Sequence, residues 1–533
     1  MRPRSPTHDH RRQEGLIMAT FREAYIQGNP NVTSLFAKPM SSLMDTPPES
    51  HEWDTNLVQA IRDFNAYYDH HPQFEGNEAV VITGQQPAIF GGPLYSVYKA
   101  ITTLKLAEKI TAKHGVPCIP IFWIGSEDHD FEEAANTFFP NKQQNVQKLS
   151  LQETPGEQEK ALHEVPLSEQ IHELIDTLAD AAIGTEFKDE IQSFLHKIAQ
   201  EAVSLSDWST HLLVKLFHNT PLVFFAPHLE EARTAAAPII KQAIKQPLEV
   251  SRCVNKGAHA LQQLGFTAQV EKSPEECAFF IELDGKRQRV VYTDNLFELP
   301  DSKQKFTDED LLVLSEKSPK AFSPNVALRC VVQQHLFPVA AYVAGPGELT
   351  YWGQFKAVFE LFDSPMPVLY PRAEAILTSL KLNQLLNRYN LTRAELTQSE
   401  NDLVTNALRY ITQSKAIHQT STMREDLNPI LDNWIKNLQS DSPTPSDMAV
   451  NLQTEINQKL DRLERVIAHI STEQVETVKG HIKRLRTQLV PNKKPQERVY
   501  NIYSYLMGHG WGMMDQLLND LEIETFIMNE VEL

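Results

Sequence analysis

The segment Ser126-Glu127-Asp128-His129-Asp130 carries the side chains of this 533-residue chain that are best suited to acid–base chemistry. An imidazole has an unperturbed pKa of about 6.5, so His129 could accept and return a proton near neutral pH. Asp128 or Asp130 could orient that imidazole or bind an ammonium group. Ser126 is expected to cap the next helix, whose first turn favours carboxylates. Capping explains two acids but not three around a histidine, which favours a catalytic role.

The same residues allow a second kind of site. Aspartate and histidine are ligands for hard metals, so a metal-dependent hydrolase centred on Asp128, His129 and Asp130 is an alternative. No second His/Asp cluster is evident to complete a dinuclear centre, and we expect no protein-bound metal. The four cysteines form no CxxC pair, which argues against a disulfide framework and a cysteine-built zinc site.

Two glycine-containing turns could bind anions. Thr83-Gly84-Gln85-Gln86 is followed by Gly91-Gly92-Pro93-Leu94-Tyr95, and Gly345-Pro346-Gly347-Glu348 is followed by Tyr351-Trp352. Each turn opens a predicted helix, whose first N–H groups could hold a phosphate or a carboxylate. Neither turn matches a P-loop or GxGxxG, so a plain βα turn explains them as well.

Short, continuous apolar runs precede most of these polar clusters, as expected for strands covered on both faces of a parallel sheet. A helical stripe from Tyr95 to Ile110 follows the first run, which predicts a βαβ unit. Ligands of such folds bind at the carboxyl ends of the strands, so the polar clusters are predicted to lie on one rim of the sheet. The predicted strand segments are 80–82, 119–124, 222–225, 339–343 and 367–370.

Long amphipathic helices follow Arg372. Apolar residues at coiled-coil a and d spacing predict an antiparallel helical arm, with a turn at 440–446. Its expected use is a homodimer contact, and a hairpin within one chain is the alternative. The spaced residues are Ile456, Leu460, Leu463, Ile467, Ile470, Val478, Ile482, Leu485 and Leu489.

The fold class is therefore α/β, with a parallel-sheet core, two inserted connecting subdomains and a C-terminal coiled-coil arm. The predicted division is a disordered extension at 1–17, core at 18–156, 219–254 and 321–374, a helical subdomain at 157–218, a β-rich subdomain at 255–320, a coiled coil at 375–495, and a segment returning to the core at 496–533.

The charge and hydropathy of the chain limit its partners. A formal net charge of −19 disfavours binding to nucleic acid. The first 17 residues lack the apolar region of a signal peptide, and no stretch is apolar enough to span a bilayer. We therefore expect a cytoplasmic protein.

The stretches TGQQPAIFGGPLYSVYKAITTLKLAEK, IPIFWIGSEDHDFEE, SPNVALR and YVAGPGELTYW together resemble the bacillithiol biosynthesis cysteine-adding enzymes, the BshC family. The resemblance runs from about Met18 to the C-terminus. It implies a Rossmann-like core, two connecting subdomains and a dimer formed through the coiled coil. It also implies the reaction, in which L-cysteine is joined by an amide bond to the amine of glucosaminyl-malate.

The family resembles class I cysteinyl-tRNA synthetases in its core, which implies activation by ATP, with Mg²⁺ only as the nucleotide's companion. The HIGH and KMSKS signatures are absent here. The motif around Arg329 departs from the family pattern, because Cys330 and Gln334 stand where we expect proline and an acid. The segment 491–498 resembles the part of the family where the arm returns to the core, and it could hold nucleotide phosphates or be a solvated turn.

This reaction assigns roles to the candidate residues. His129, supported by Asp128, would take the proton of the attacking amine, and Arg329 or Arg372 would pair with malate. A coiled-coil scaffold that binds nucleotide without catalysis is a third possibility. The predicted substrate-binding residues are Gln85, Gln86, Gly92, Tyr95, Asn325, Arg329, Glu348, Tyr351, Trp352 and Arg372, and the predicted ATP- or ADP-binding residues are Gly84, Gly345, Gly347, Lys493, Gln496 and Arg498.

Overall fold

A computed structural model describes residues 19–153, 160–182, 185–412, 416–439 and 443–533. The extension at 1–17, predicted to be disordered, lies outside these residues. The chain divides into two compact units. The first unit contains the residues up to Gly84, Thr102–Trp123 and Thr220–Arg372, and the second contains Gln85–Ile101, Ile124–Asn219 and Ala373–Leu533.

The strands are β1 (Ala79–Gln85), β2 (Cys118–Ile124), β3 (Asn136–Pro140), β4 (Val146–Ser150), β5 (Val223–Phe225), β6 (Glu276–Leu283), β7 (Lys286–Thr293), β8 (Leu296–Leu299), β9 (Gln304–Phe306), β10 (Phe322–Pro324), β11 (Val339–Ala344), β12 (Val368–Pro371), β13 (Ala375–Thr378) and β14 (Asn529–Glu532).

The helices are α1 (Phe21–Ile26), α2 (Pro30–Thr33), α3 (Ser42–Asp45), α4 (Thr55–Tyr67), α5 (Leu94–His114), α6 (Phe131–Ala134), α7 (Gln170–Ala181), α8 (Lys188–Glu201), α9 (Leu205–Phe217), α10 (Glu230–Lys245), α11 (Glu249–Gln263), α12 (Asp308–Lys317), α13 (Val326–Leu336), α14 (Pro346–Trp352), α15 (Lys356–Leu361), α16 (Leu380–Tyr389), α17 (Glu400–Thr412), α18 (Ala416–Gln439), α19 (Pro443–Leu489), α20 (Tyr503–His509) and α21 (Gly512–Asp520).

The first unit is built on a five-stranded sheet with the order β12-β11-β1-β2-β5. The pairs β1 with β11, β11 with β12 and β2 with β5 are parallel. Val80, Ile82, Ile121 and Val223 are fully buried, as continuous apolar runs predict for strands covered on both faces. All five predicted strand segments form this sheet, which confirms the α/β fold class.

Gly84, near the end of β1, lies tightly against Trp123 of β2. A Cβ atom at this position would lie 3.0 Å from the carbonyl oxygen of Trp123 and 3.2 Å from its Cβ. Any larger residue would have to displace backbone, so the glycine is explained by packing.

The β-rich segment of the first unit forms a second five-stranded sheet, ordered β10-β6-β7-β8-β9. Its four strand pairs are all antiparallel. Asp284 and Gly285 join β6 to β7, with φ angles of 54° and 70°. Such Asp-Gly pairs suit tight hairpin turns, because both central residues adopt positive φ.

The second unit contains the predicted helical segment and the arm. In α7, the side chains at helical spacing, Ile171, Leu174, Ile175 and Leu178, are buried as predicted. At the base of the arm, α19 buries Val478, Ile482, Leu485 and Leu489 in a core shared with α16 and α17. This core holds the C-terminal half of α19 by ordinary apolar packing.

The arm consists of α18 and α19, which form an antiparallel helical hairpin. An antiparallel helical arm is what the sequence predicted. Gln453 of α19 donates to Asp432 of α18 at 2.7 Å. Leu460, placed at the seam by its spacing, is buried within this single chain, whereas Leu463 is 48% exposed. The side chains of Ile467 and Ile470 lie outside the described part of the chain.

The turn of the hairpin is shorter than predicted. Pro443 to Ser446 were expected in the turn but belong to α19, and residues 440–442 lie outside the description. The physical reason is that proline is well tolerated in the first turn of a helix, where its missing N–H costs nothing.

All four cysteines carry free thiols. Across the ranges that the structure describes, no helix has both the length and the apolar content needed to cross a bilayer.

Candidate active site

The loop after β2, residues 125–130, is fixed to the loop after β1. The N–H of Gly125 donates to the carbonyl oxygen of Gln85 at 2.9 Å. The Nε2 of Gln86 donates to the carbonyl oxygen of Asp130 at 2.8 Å. These two bonds lie at the two ends of the loop, so its backbone has a defined position.

A second segment supports the same loop. The N–H of Leu162 donates to the carbonyl oxygen of Asp128 at 2.8 Å. The N–H and the Nδ1 of His163 both approach the carbonyl oxygen of Ser126 at 3.1 Å. Because the backbone is bonded on both sides, the side chains of the loop are presented without a large ordering cost, as preorganised sites require.

The structure corrects the predicted role of Ser126. Ser126 is fully buried, and the cap of α6 is Asp130, whose Oδ1 accepts from the N–H of Glu133 at 3.0 Å. The helix starts four residues later than the serine prediction required, because the intervening residues form a turn. In that turn, Oδ1 of Asp128 accepts from the N–H of His129 at 2.8 Å.

His129 and Asp128 are the titratable pair at the surface of this loop. Nδ1 of His129 lies 3.9 Å from Oδ1 of Asp128, and both side chains are 44% exposed. The imidazole is therefore accessible to a ligand and close to a carboxylate. The arrangement suits a base that works at neutral pH.

Gln85 and Tyr95, both predicted to bind substrate, come together beside a lysine that the sequence analysis did not single out. The Nε2 of Gln85 donates to the Tyr95 hydroxyl at 3.4 Å. The Nζ of Lys99 donates to Oε1 of Gln85 at 3.1 Å, and Lys99 is only 3% exposed. The available signal was its spacing, because Tyr95 and Lys99 are one helical turn apart in α5.

Glu133 was also missed. Glu133 is exposed by its surface area, but the protein atoms around its carboxyl remove part of its hydration and, together with the negative charges of Asp130 and Asp128, raise its pKa. The positive charges of Lys99 and Arg498 oppose this shift without cancelling it. A carboxyl whose pKa is raised towards neutrality is a common feature of catalytic sites.

The remaining predicted residues of the second unit have mostly structural surroundings. Gly92 has a φ of 73°, which favours glycine at the turn into α5. Gln496 is buried, and its side chain bonds the N–H and carbonyl of Leu377. Lys493 and Arg498 are exposed. Gln496 thus has a structural environment, whereas Arg498 acts electrostatically on Glu133.

A second polar cluster lies in the first unit, around α13 and α14. The hydroxyl of Tyr342 donates to Oε1 of Glu348 at 2.8 Å, and the N–H of Gly345 donates to Oε2 at 2.8 Å. Burial raises the pKa of Tyr351, and Glu348 raises it further. Arg329 lies among these groups. Burial alone would lower the pKa of Arg329, but the neighbouring tyrosines and Glu348 raise it overall.

The other predicted residues of this unit are positioned as follows. Oδ1 of Asn325 caps α13 by accepting from two N–H groups. Trp352 is buried and stacks on Phe359 with ring centroids 5.7 Å apart. Arg372 is 2% exposed, and Gly347 is open to solvent. The N–H of Gly345 is used by Glu348, so that N–H does not serve as an anion donor.

The metal-hydrolase alternative gains no support from the side-chain geometry. Within the described ranges, no three His, Cys, Asp or Glu side chains converge in a way that could hold a metal ion.

The parallel sheet and the helical arm, with an acid–base loop after a central strand, define a Rossmann-like protein with a coiled-coil domain. The sequence matches the family description "Bacillithiol biosynthesis BshC, N-terminal Rossmann-like domain" over residues 12–373. It matches the corresponding C-terminal coiled-coil domain over residues 375–532. The chain belongs to the BshC family.

Curated relatives named "Putative cysteine ligase BshC" align over most of the chain. The protein from Salinibacter ruber is 31% identical over 84% of this chain and 81% of its own length. The protein from Desulforamulus reducens is 28% identical, covering 85% of this chain and 83% of its own length. The protein from Bacillus mycoides is 26% identical, covering 89% and 86%.

The raised pKa of Glu133 predicts a pH-dependent effect on stability. The ionised carboxylate destabilises the fold above its raised folded pKa, and the effect is absent below the unfolded pKa of about 4.3. We therefore expect Glu133→Gln to raise the melting temperature at pH 7 to 8, and the gain to vanish near pH 4. Thermal unfolding across this range measures it, with Glu132→Gln on the same turn as control. A melting temperature lowered at neutral pH would contradict the analysis.

Proposed function

We propose that this chain is the cysteine ligase of bacillithiol biosynthesis, which joins the carboxyl of L-cysteine to the amine of glucosaminyl-malate. Two observations support the proposal. The relatives that align over most of the chain are named as cysteine ligases. The supported loop at 125–130 presents an accessible imidazole beside a carboxylate.

The chemistry sets what the protein must supply. An amide does not form from a carboxylate and an amine at neutral pH, because the carboxylate is unreactive and the amine is largely protonated. We propose that ATP supplies the activation as a cosubstrate, converting the cysteine carboxylate into a mixed anhydride and releasing pyrophosphate. The amine then attacks the acyl carbon, a proton is lost, and AMP leaves.

In this scheme His129 accepts the proton of the attacking amine. Asp128 would stabilise the imidazolium that forms, since its Oδ1 lies 3.9 Å from Nδ1.

The activity itself can be tested with purified protein. We expect cysteine, glucosaminyl-malate and ATP together to yield a new thiol by mass spectrometry, with one AMP released per thiol. Omission of ATP should abolish the product, because the carboxyl is then not activated. No product under any condition would contradict the proposed reaction, and product without ATP would contradict the proposed activation.

The role of His129 predicts a large loss of rate without loss of fold. A general base contributes about 10²–10⁴-fold, so His129→Asn should slow thiol formation by about that factor. Asp128→Asn should have a smaller effect if the carboxylate only stabilises the imidazolium. His71→Asn, a change at an exposed histidine, is the control. Turnover near normal in folded His129→Asn protein would exclude this residue as the base.

We also propose that the arm forms a homodimer. Met423, Ile430 and Trp434 of α18 are 53%, 65% and 44% exposed and lie on one helical face. On α19, Met448 and Leu452 are 70% and 44% exposed, four residues apart. Exposed apolar stripes of this kind are typical of surfaces that bind a partner.

The dimer should be tested at these exposed stripes and not at Leu460, which has coiled-coil spacing but is buried within the chain. Changing Ile430 and Trp434 to Asp should convert a dimer to a monomer in light scattering at micromolar concentration, with the melting temperature retained. Val313→Asp, at an exposed apolar residue of α12, is the control and should leave the mass unchanged. Leu460→Asp should instead destabilise the hairpin, because Leu460 is buried within the chain. A monomeric natural protein would contradict the dimer.

A further inference from the structure

Asn325 and Arg329 lie one helical turn apart at the start of α13, in the first unit. The N–H of Arg329 donates to the carbonyl oxygen of Asn325 at 2.8 Å, which closes the first turn of the helix. Side chains four residues apart are neighbours on a helix surface, and a long side chain leans towards the N-terminus of its helix. The polar ends of these two side chains therefore belong to one small region.

The side-chain amide of Asn325 uses only its oxygen. Oδ1 accepts from the N–H groups of Ala327 and Leu328 at 3.0 and 3.1 Å, and these two donors fix which end of the amide is oxygen. Nδ2 is buried and has no hydrogen-bond partner among the described residues. Asn325 is only 4% exposed, and a buried donor without an acceptor is unfavourable. An acceptor supplied by a ligand would satisfy it.

The guanidinium of Arg329 also has unused donors. Within the ranges that the structure describes, no group accepts a hydrogen bond from it or forms an ion pair with it. The residue is partly buried but retains some accessible surface. Arginine stays charged at all physiological pH values, and its planar fork of N–H groups matches carboxylate and phosphate oxygens. Arg329 can therefore receive an anion.

Glu348 acts on Arg329 through its charge without occupying these donors. The two oxygens of its carboxylate accept from the hydroxyl of Tyr342 and from the N–H of Gly345, both at 2.8 Å. Glu348 forms no ion pair with Arg329. Its attraction helps to keep the guanidinium in this region, while the N–H groups of the guanidinium are still available to a ligand.

We propose that Arg329 and Asn325 together bind an oxyanion group of a small ligand, a carboxylate or a phosphate, at the start of α13. The guanidinium would donate two N–H groups to the anion, and Nδ2 of Asn325 would donate a third. Because Nδ2 is covered by neighbouring atoms, a small side-chain movement must accompany binding. The inference rests on the proposed function only for the choice of ligands to test.

The first test compares ligand binding by Arg329→Gln and by the natural protein in calorimetry. The probes are glucosaminyl-malate and L-cysteine, which carry carboxylates, and ADP, which carries phosphates. Loss of a hydrogen bond to a charged group corresponds to a fall in affinity of about 10- to 100-fold. We expect this fall for at least one probe, and that probe identifies the anion. Arg289→Gln, at an exposed arginine of β7, should bind all three probes normally.

The second test separates binding by Asn325 from its capping of α13. Aspartate caps helices as well as asparagine does, so Asn325→Asp keeps the capping oxygen but replaces Nδ2 with a negatively charged oxygen. We expect the melting temperature to be retained and the affinity for the same probe to fall about 10-fold or more. If Asn325 serves only as a cap, Asn325→Asp will bind every probe normally, and the inference is wrong.

The charge and the shape of the guanidinium can also be separated. Arg329→Lys keeps the charge but lacks the paired donors, so we expect it to recover part of the affinity that Arg329→Gln loses. If Arg329→Gln does not fold, Arg329→Lys and Asn325→Asp decide the matter. Normal affinity for every probe in folded Arg329→Gln, or in both of the other variants, would overturn the inference. A natural protein that binds none of the probes would overturn it too.

The binding readout keeps this inference distinct from the proposed function. If the natural protein forms no thiol while Arg329→Gln still loses affinity for a probe, the reaction is wrong and the anion site stands. If the natural protein forms the thiol and folded Arg329→Gln protein binds every probe normally, the reaction stands and the anion site is wrong.

Discussion

The candidate active site depends on one close approach, between the loops that follow two neighbouring strands. The N–H of Gly125 donates to the carbonyl oxygen of Gln85 at 2.9 Å. A Cβ at Gly125 would lie 3.3 Å from the Cα of Gln86, a tight contact that requires the Gln86 backbone to shift slightly. Together with the bond from Gln86 to Asp130, the bond from Gly125 to Gln85 gives the residues that follow β2 a defined position.

The loop also holds like charges close together. Asp128, Asp130 and Glu133 lie within six residues of each other, and loss of hydration together with the two aspartate charges raises the pKa of Glu133. Such crowding is unfavourable for folding, and its persistence on a well-supported loop is typical of functional sites. The bonds to the loop's backbone, together with the bonds that Asp128 and Asp130 accept from N–H groups, oppose this repulsion.

Sequence patterns predicted the sheet and the helical arm well, because buried strands and helix faces require apolar residues at characteristic spacing. The continuous apolar runs at 80–82 and 119–124 became strands of a parallel sheet, and the heptad spacing became a helical arm. The patterns failed where a residue's surroundings come from distant parts of the chain. The spacing alone left open whether Leu460 lies at a seam between chains or within one hairpin, and the structure buries it within the single chain. Ser126 has the composition of a cap, yet bonds from His163 hold its backbone and Asp130 takes the cap.

The site was predicted in part for the same reason. Its acid–base residues are adjacent in sequence, so their chemistry could be read directly. Lys99 sits in a helix with other lysines, and nothing local distinguishes it from those that face solvent. Its burial follows from how α5 packs, which only the three-dimensional structure provides. Glu133 likewise acquires its raised pKa from loss of hydration at its carboxyl and from the charges of Asp130 and Asp128, which outweigh the opposing charges of Lys99 and Arg498.

The central claim is that amide formation takes place at the loop of residues 125–130. A crystal structure of the protein with glucosaminyl-malate and a nonreactive cysteinyl-adenylate analogue would test it most directly. The account predicts that the sugar amine lies within about 2.6–3.2 Å of the His129 imidazole, or one water away. An amine bound out of reach of every titratable side chain between Ser126 and Glu133 would contradict it.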